Sequence, residues 1–132
     1  MPDHLTILAA SALLTYVMVL AGSLIRARAW TPAGLLIAFG NRDGELVESP
    51  VAGRADRAGK NMVESMVMFT AVIVAAHGRA PEAEQIDLGA MIYFVARVAY
   101  WAVYLAGIPY VRTAVWFVGV IGTIMVGLVA VA

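Results

Sequence analysis

There is no cysteine among the 132 residues. Disulfides, thiolate-held metals, iron–sulfur clusters and a cysteine nucleophile are therefore excluded. Histidine is scarce: His4 and His77 are the only two and stand far apart, so no metal site is expected. Charge is thin as well. Charged residues make up 14% of the chain, nine of each sign, against about a quarter in an average soluble domain. A zero net charge argues against a nucleic-acid binder with a basic face. The low charge also excludes a disordered tail or linker. In place of charge there is apolar surface: 62% of residues are hydrophobic, and mean hydropathy is +0.85. These numbers describe a small integral membrane protein.

A hydrocarbon core about 30 Å thick needs ~20 apolar helical residues. Leu5 to Ile25 supplies 21 without a charge, Leu88 to Ile108 supplies 21 with only Arg97, and Thr113 to Ala132 supplies 20 without a charge. The fourth apolar run, Met62 to Ala76, holds Glu64 and is 15 residues long. It reaches spanning length only if its helix begins in the polar stretch near Pro50. The expected architecture is all-α: a single-domain transmembrane four-helix bundle with spans at about 5–25, 52–76, 86–107 and 111–132. Long unbroken runs do not fit a β-barrel, whose strands alternate over about ten residues. The first run is not a cleaved leader, because its cations, Arg26 and Arg28, follow it.

The cations also orient the bundle. Six of the nine lie between residues 26 and 60: Arg26, Arg28, Arg42, Arg54, Arg57 and Lys60. The second connection has Arg79 against Glu82, Glu84 and Asp87. The positive-inside rule then makes the first and third connections cytoplasmic and puts both termini on the far side. The first connection reads as turn-rich, through Thr31-Pro32, Asn41-Arg42-Asp43-Gly44 and Ser49-Pro50. The third, Gly107-Ile108-Pro109, is short enough for an antiparallel hairpin.

Ionisable groups at membrane depth are functional candidates. At ~100° per residue, Arg54, Arg57, Asn61 and Glu64 fall within an arc of about 80°, bordered by Lys60. On the third span, Tyr93, Arg97, Tyr100 and Tyr104 share an arc of about 60°. The fourth begins with Arg112, on the same face as a small-residue seam, Gly119, Thr123 and Gly127, suited to close helix contact. Several cations thus converge near one end of the bundle, with Glu64 as the main acid. Such a set suits an anionic ligand with hydrogen-bonding parts. Plainer readings stand beside this one. Arg26 and Arg28 serve as topology anchors. Tyr110 and Trp116 belong to an interfacial belt or to packing. Arg97 and Glu64 form a buried structural pair. His77, followed by Gly78, marks a helix end and is no ligand, and residues 41–48 are a solvated loop face.

The stretch Arg54-Ala-Asp-Arg57-Ala58-Gly-Lys-Asn61-Met-Val-Glu64 resembles the signature RxxRAxxNxxE of the MAPEG family, the membrane-associated proteins in eicosanoid and glutathione metabolism. Arg97-Val-Ala-Tyr100, then Tyr104 and Arg112, is similar to that family's third helix and the start of its fourth. Gly53 stands where many members have Glu, and Tyr100 where some have His. The resemblance implies a bacterial-type member similar to the microsomal glutathione transferases. It implies a homotrimer in which glutathione sits between subunits near the cytoplasmic side. Arg57, Asn61 and Glu64 would bind the tripeptide, with Arg54 and Lys60 adding positive potential. Tyr100 and Tyr104 would contact it, Arg97 would support it, and Arg112 would activate its thiol. Either Arg26 or Arg28 would add a contact.

The expected activity is transfer of glutathione to a lipophilic electrophile, or peroxidase chemistry on a hydroperoxide, in a detoxifying protein of the bacterial inner membrane. Glutathione is the co-substrate and brings the sulfur that the chain lacks. Expected partners are a second copy, glutathione, a lipophilic substrate and membrane lipid. The alternative is a non-catalytic lipid-binding or scaffold protein of the same fold. A small transporter is a weaker reading, because there are no repeats or broken helices.

Overall fold

A computed structural model describes residues 1–41 and 49–132. The Arg42-Asp43-Gly44 part of the expected turn, and nearly all of the loop face at 41–48, lie outside the described residues. The described residues form five helices in the order α1 (His4–Ala27), α2 (Pro32–Phe39), α3 (Pro50–Arg79), α4 (Glu84–Ala106) and α5 (Pro109–Val131). All but α2 are long and apolar enough to cross a membrane. The fold is an all-α bundle of four membrane-capable helices.

α1, α2 and α3 each start on a side-chain cap. Asp3 accepts the backbone N–H groups of Leu5 and Thr6 at 3.0 and 2.9 Å, which opens α1. The Thr6 amide and hydroxyl hold the Asp3 carboxyl below the usual carboxylate range. Ser49 caps α3 through the Ala52 N–H at 3.1 Å, with Pro50 in the first turn. The 30 residues of α3 rise about 45 Å, well beyond a ~30 Å hydrocarbon core. The short apolar run from Met62 is thus carried in a helix whose first turns are polar. Glu84 and Asp87 lie in the first turn of α4, where the helix dipole favours acids. Gly107 takes a left-handed φ of 77° to end α4, and Pro109 starts α5.

The Thr31-Pro32 pair, expected as a turn, instead starts a helix. Thr31 Oγ1 accepts the Gly34 N–H at 3.0 Å, and Pro32 supplies the preset φ of a first helical position.

The most extensive helix contact is α4 against α5. Its tightest point is Gly89 on Gly122, where a Cβ on Gly122 would lie 2.6 Å from the Gly89 carbonyl oxygen. This corrects the expected seam. Gly122 lies off the Gly119–Thr123–Gly127 line, whose contacts are looser and divided: Gly119 meets Arg97 and Ala96 of α4, and Gly127 touches Val72 of α3. In the core, Phe69 stacks on Tyr93 with ring centroids 3.7 Å apart, and Ser65 shares a 2.9 Å hydrogen bond with the Tyr93 hydroxyl.

At the opposite end from Arg54 and Arg112, α1, α3 and α4 are tied by a polar chain. Asp87 Oδ1 accepts both the backbone N–H of His4, at 2.7 Å, and its ring Nδ1, at 2.6 Å. His4 Nε2 lies 2.9 Å from His77 Nδ1. His77 is therefore more than the helix-end residue that its neighbour Gly78 suggests.

Candidate functional site

Three helices meet at the arginine-rich end. From α3, the exposed Arg57 donates its Nε–H to the Tyr104 hydroxyl of α4 at 3.1 Å. From α5, the Arg112 guanidinium lies over the Tyr104 ring, 4.7 Å from its centroid. Tyr100 meets Tyr104 edge-on at 5.4 Å. Because the Tyr104 oxygen is accepting from Arg57, its own O–H remains to donate. Two guanidinium groups and a phenol thus converge from three elements. An arginine cluster of this kind attracts carboxylate or thiolate.

One layer deeper lies Arg97, only 2% exposed. Its Nη1 donates to Asn61 Oδ1 at 3.0 Å, and the Tyr93 and Tyr100 rings flank it at 5.3 and 5.5 Å. Arginine can only donate, so Asn61 must turn its oxygen toward Arg97. That leaves the Asn61 amide N–H groups to donate elsewhere. Arg97 Nε is buried with no hydrogen-bond partner among the described residues. The expected Arg97–Glu64 pair does not form: Asn61 lies nearly one turn before Glu64 and takes the guanidinium. Glu64 is exposed on the isolated chain. It has no ion-pair partner among the described residues.

Asn61, Glu64, Arg97 and Trp116 line a cleft of about 330 Å³ between α3 and α5, closed by Met68, Val120, Thr123 and Ile124. Trp116, expected in a belt or in packing, is half-buried at this cleft. The cleft is polar toward Arg97 and apolar along α5.

The remaining candidates are placed differently. Arg54 is half-buried and lies against the α4–α5 turn, where a Cβ on Gly107 would sit 3.3 Å from its Cζ. That contact supports the turn beneath Arg112. Lys60 is exposed and pairs with Asp56, one turn back, at 2.9 Å. Both border a separate hollow between α1 and α3, which Glu64 also reaches. Asp56 was missed as a partner, although its i,i+4 spacing from Lys60 is a readable signal. Between the two α1 arginines the geometry separates roles. Arg26 shares a hollow of about 180 Å³ with Arg57 and Gly53, whereas Arg28 is exposed at the left-handed turn that ends α1.

Residues 4–132 match the MAPEG family. The chain belongs to that family. It is therefore an integral membrane protein of the fold that serves glutathione and eicosanoid metabolism. Comparison with curated proteins finds no match. Arg57 and Asn61 of α3 thus meet the Arg97–Tyr100–Tyr104 face of α4 toward one end of the bundle. Arg112 joins them from α5.

Proposed function

We propose that this protein is a membrane-embedded glutathione transferase. It binds glutathione at the Arg57–Tyr104–Arg112 cluster and delivers the sulfur as thiolate to a lipophilic electrophile or hydroperoxide. The observation that carries the reading is the convergence of Arg57, Tyr104 and Arg112 beside a cleft that changes from polar to apolar.

Glutathione presents two carboxylates, an amine and a thiol. Arg57, Arg97 and the Asn61 amide suit the carboxylates, and Tyr100 lies within the same layer. Glu64, the acid without a partner among the described residues, suits the amine. Arg54 and Lys60 add potential from the margin. A free thiol has a pKa near ~8.5, so little of it is thiolate at neutral pH. The Arg112 guanidinium beside the sulfur favours the anion. In conjugation, the thiolate forms a carbon–sulfur bond and the leaving group departs with its electron pair. With a hydroperoxide, two glutathiones are oxidised to the disulfide while the peroxide is reduced to alcohol and water. An apolar acceptor reaches the sulfur along the α5 side of the cleft.

The same reading assembles the chain as a homotrimer. Glu64 and Lys60 lie on a spanning helix and are exposed on one protomer, and an ionisable group facing lipid is costly. A neighbouring copy completes the site, and Arg26, which shares a hollow with Arg57 of its own chain, is the cation from the end of α1 that joins it. The arginine end faces the cytoplasm, and both termini lie on the other side of a bacterial inner membrane. The test is conjugation of a chromogenic electrophile by purified protein. Glutathione-dependent turnover is expected. Folded protein that retains lipid but lacks such turnover would instead be a scaffold or lipid binder.

A further inference from the structure

One apolar surface of the bundle is not accounted for by the spans or by the site. The eight residues of α2 hold no polar side chain. Gly34 is the buried one, and Trp30, Leu36 and Phe39 are 70%, 79% and 88% exposed. Among the described residues, α2 packs on α1 alone of the helices.

Its depth follows from α1. The charge-free run of α1 ends at Ile25, and Arg26 and Arg28 follow at once. The 24 residues of α1 rise about 36 Å, so these arginines stand at the edge of a ~30 Å hydrocarbon layer. α2 cannot swing far from that edge. A Cβ on Gly34 would lie 1.9 Å from the Arg28 carbonyl oxygen and 2.4 Å from that of Ala27, so the α2 backbone rests on the last carbonyls of α1. The register of α1 on α3 agrees: Gly22 packs on the Ala55 backbone, so the end of α1 is level with the first turn of α3.

An apolar helix at this depth has a physical place. Tryptophan favours the boundary between headgroups and acyl chains, and flanking arginines attract anionic headgroups. α2 also prolongs the outward apolar surface of α1, where Leu20 and Leu24 are exposed. We propose that Trp30 and α2 form an interfacial anchor. It lies in the headgroup–acyl boundary at the arginine end, with Leu36 and Phe39 in the upper acyl region and Arg28 beside anionic phospholipid headgroups. The occupant of this surface is the lipid leaflet itself. Its role is to fix the depth of the α1 end, and so of the arginine cluster, relative to the membrane surface.

The absence of cysteine makes the test direct. Leu36→Cys, Phe39→Cys and Asn41→Cys each allow single-site spin labelling of the full chain at an exposed position. The labelled proteins are placed in vesicles of phosphatidylcholine with phosphatidylglycerol. Collision rates are read with oxygen, which concentrates in lipid, and with a water-soluble nickel chelate. Labels at 36 and 39 should show an oxygen-to-nickel ratio several-fold above that at 41. Nickel access at 36 and 39 equal to that at 41 would put α2 in water and overturn the anchor. Low access to both reagents would mean that protein covers it, a second copy included, and would overturn it equally. Phosphatidylglycerol should deepen the label at 39 relative to phosphatidylcholine alone, and Arg28→Gln should abolish that difference. Equal depths in the two lipid mixtures for the Arg28 protein would overturn the headgroup contact.

Discussion

Replacing Arg112 by alanine should raise the thiol pKa of bound glutathione. The structure holds the Arg112 guanidinium over the Tyr104 ring at 4.7 Å, half-buried, at the mouth of the cluster that also contains Arg57. A unit charge about 4 Å from sulfur, at an effective dielectric of about 20 to 40, favours thiolate by roughly 2–4 kcal/mol. At about 1.4 kcal/mol per unit, the thiol pKa falls by about 1.5–3 units from ~8.5. Thiolate at pH 7 then rises from a few per cent to half or more, and Arg112→Ala removes about 15–30-fold of it. Nucleophilicity falls with thiol pKa along a Brønsted slope of about 0.4–0.5, which returns part of that loss. The variant should therefore turn over up to about fourfold more slowly at pH 7, with the deficit closing as pH rises toward 9. The direct assay is the ultraviolet absorbance of the thiolate, titrated with glutathione bound to each protein. A bound thiol with the same pKa in both proteins, or a rate deficit independent of pH, would refute the role given to Arg112.

Other outcomes follow from the packing. Gly122→Val should destabilise the bundle by about 1–3 kcal/mol or more, because its Cβ meets the Gly89 backbone and no flexible side chain can give way. Gly127→Ala, whose Cβ would be 3.6 Å from Val72, should be nearly neutral, and thermal unfolding in detergent compares them. Asp87→Ala strips the acceptor from two His4 donors and should cost about 1–3 kcal/mol in the same assay.

How much of this was readable depended on the range of each signal. The α4 face needed only the helical period: Tyr93, Arg97, Tyr100 and Tyr104 are all buried together. On α3 the period placed Asn61 and Glu64 on one arc but could not say which would meet Arg97, a choice made by the height of α4. The α4–α5 contact eluded the seam reading for a related reason. Gly122 has no partner at four-residue spacing on its own helix, and its meaning comes from Gly89 across the hairpin. α2 is too short to show a period, and a Thr-Pro pair suits a turn as well as a cap. The His4–Asp87 contact joins residues 83 apart, which no local pattern reveals.

The most direct measurement for the account is calorimetric titration of glutathione into the purified protein, beside Arg57→Ala. Arg57 is exposed and its hydrogen bond to Tyr104 is the contact that shapes the cluster, so its removal should spare the fold. The account predicts binding by the native chain and at least tenfold weaker binding, about 1.4 kcal/mol, by the variant. No heat of binding from folded protein, or equal affinity in the two, would contradict a glutathione site on this face of α3.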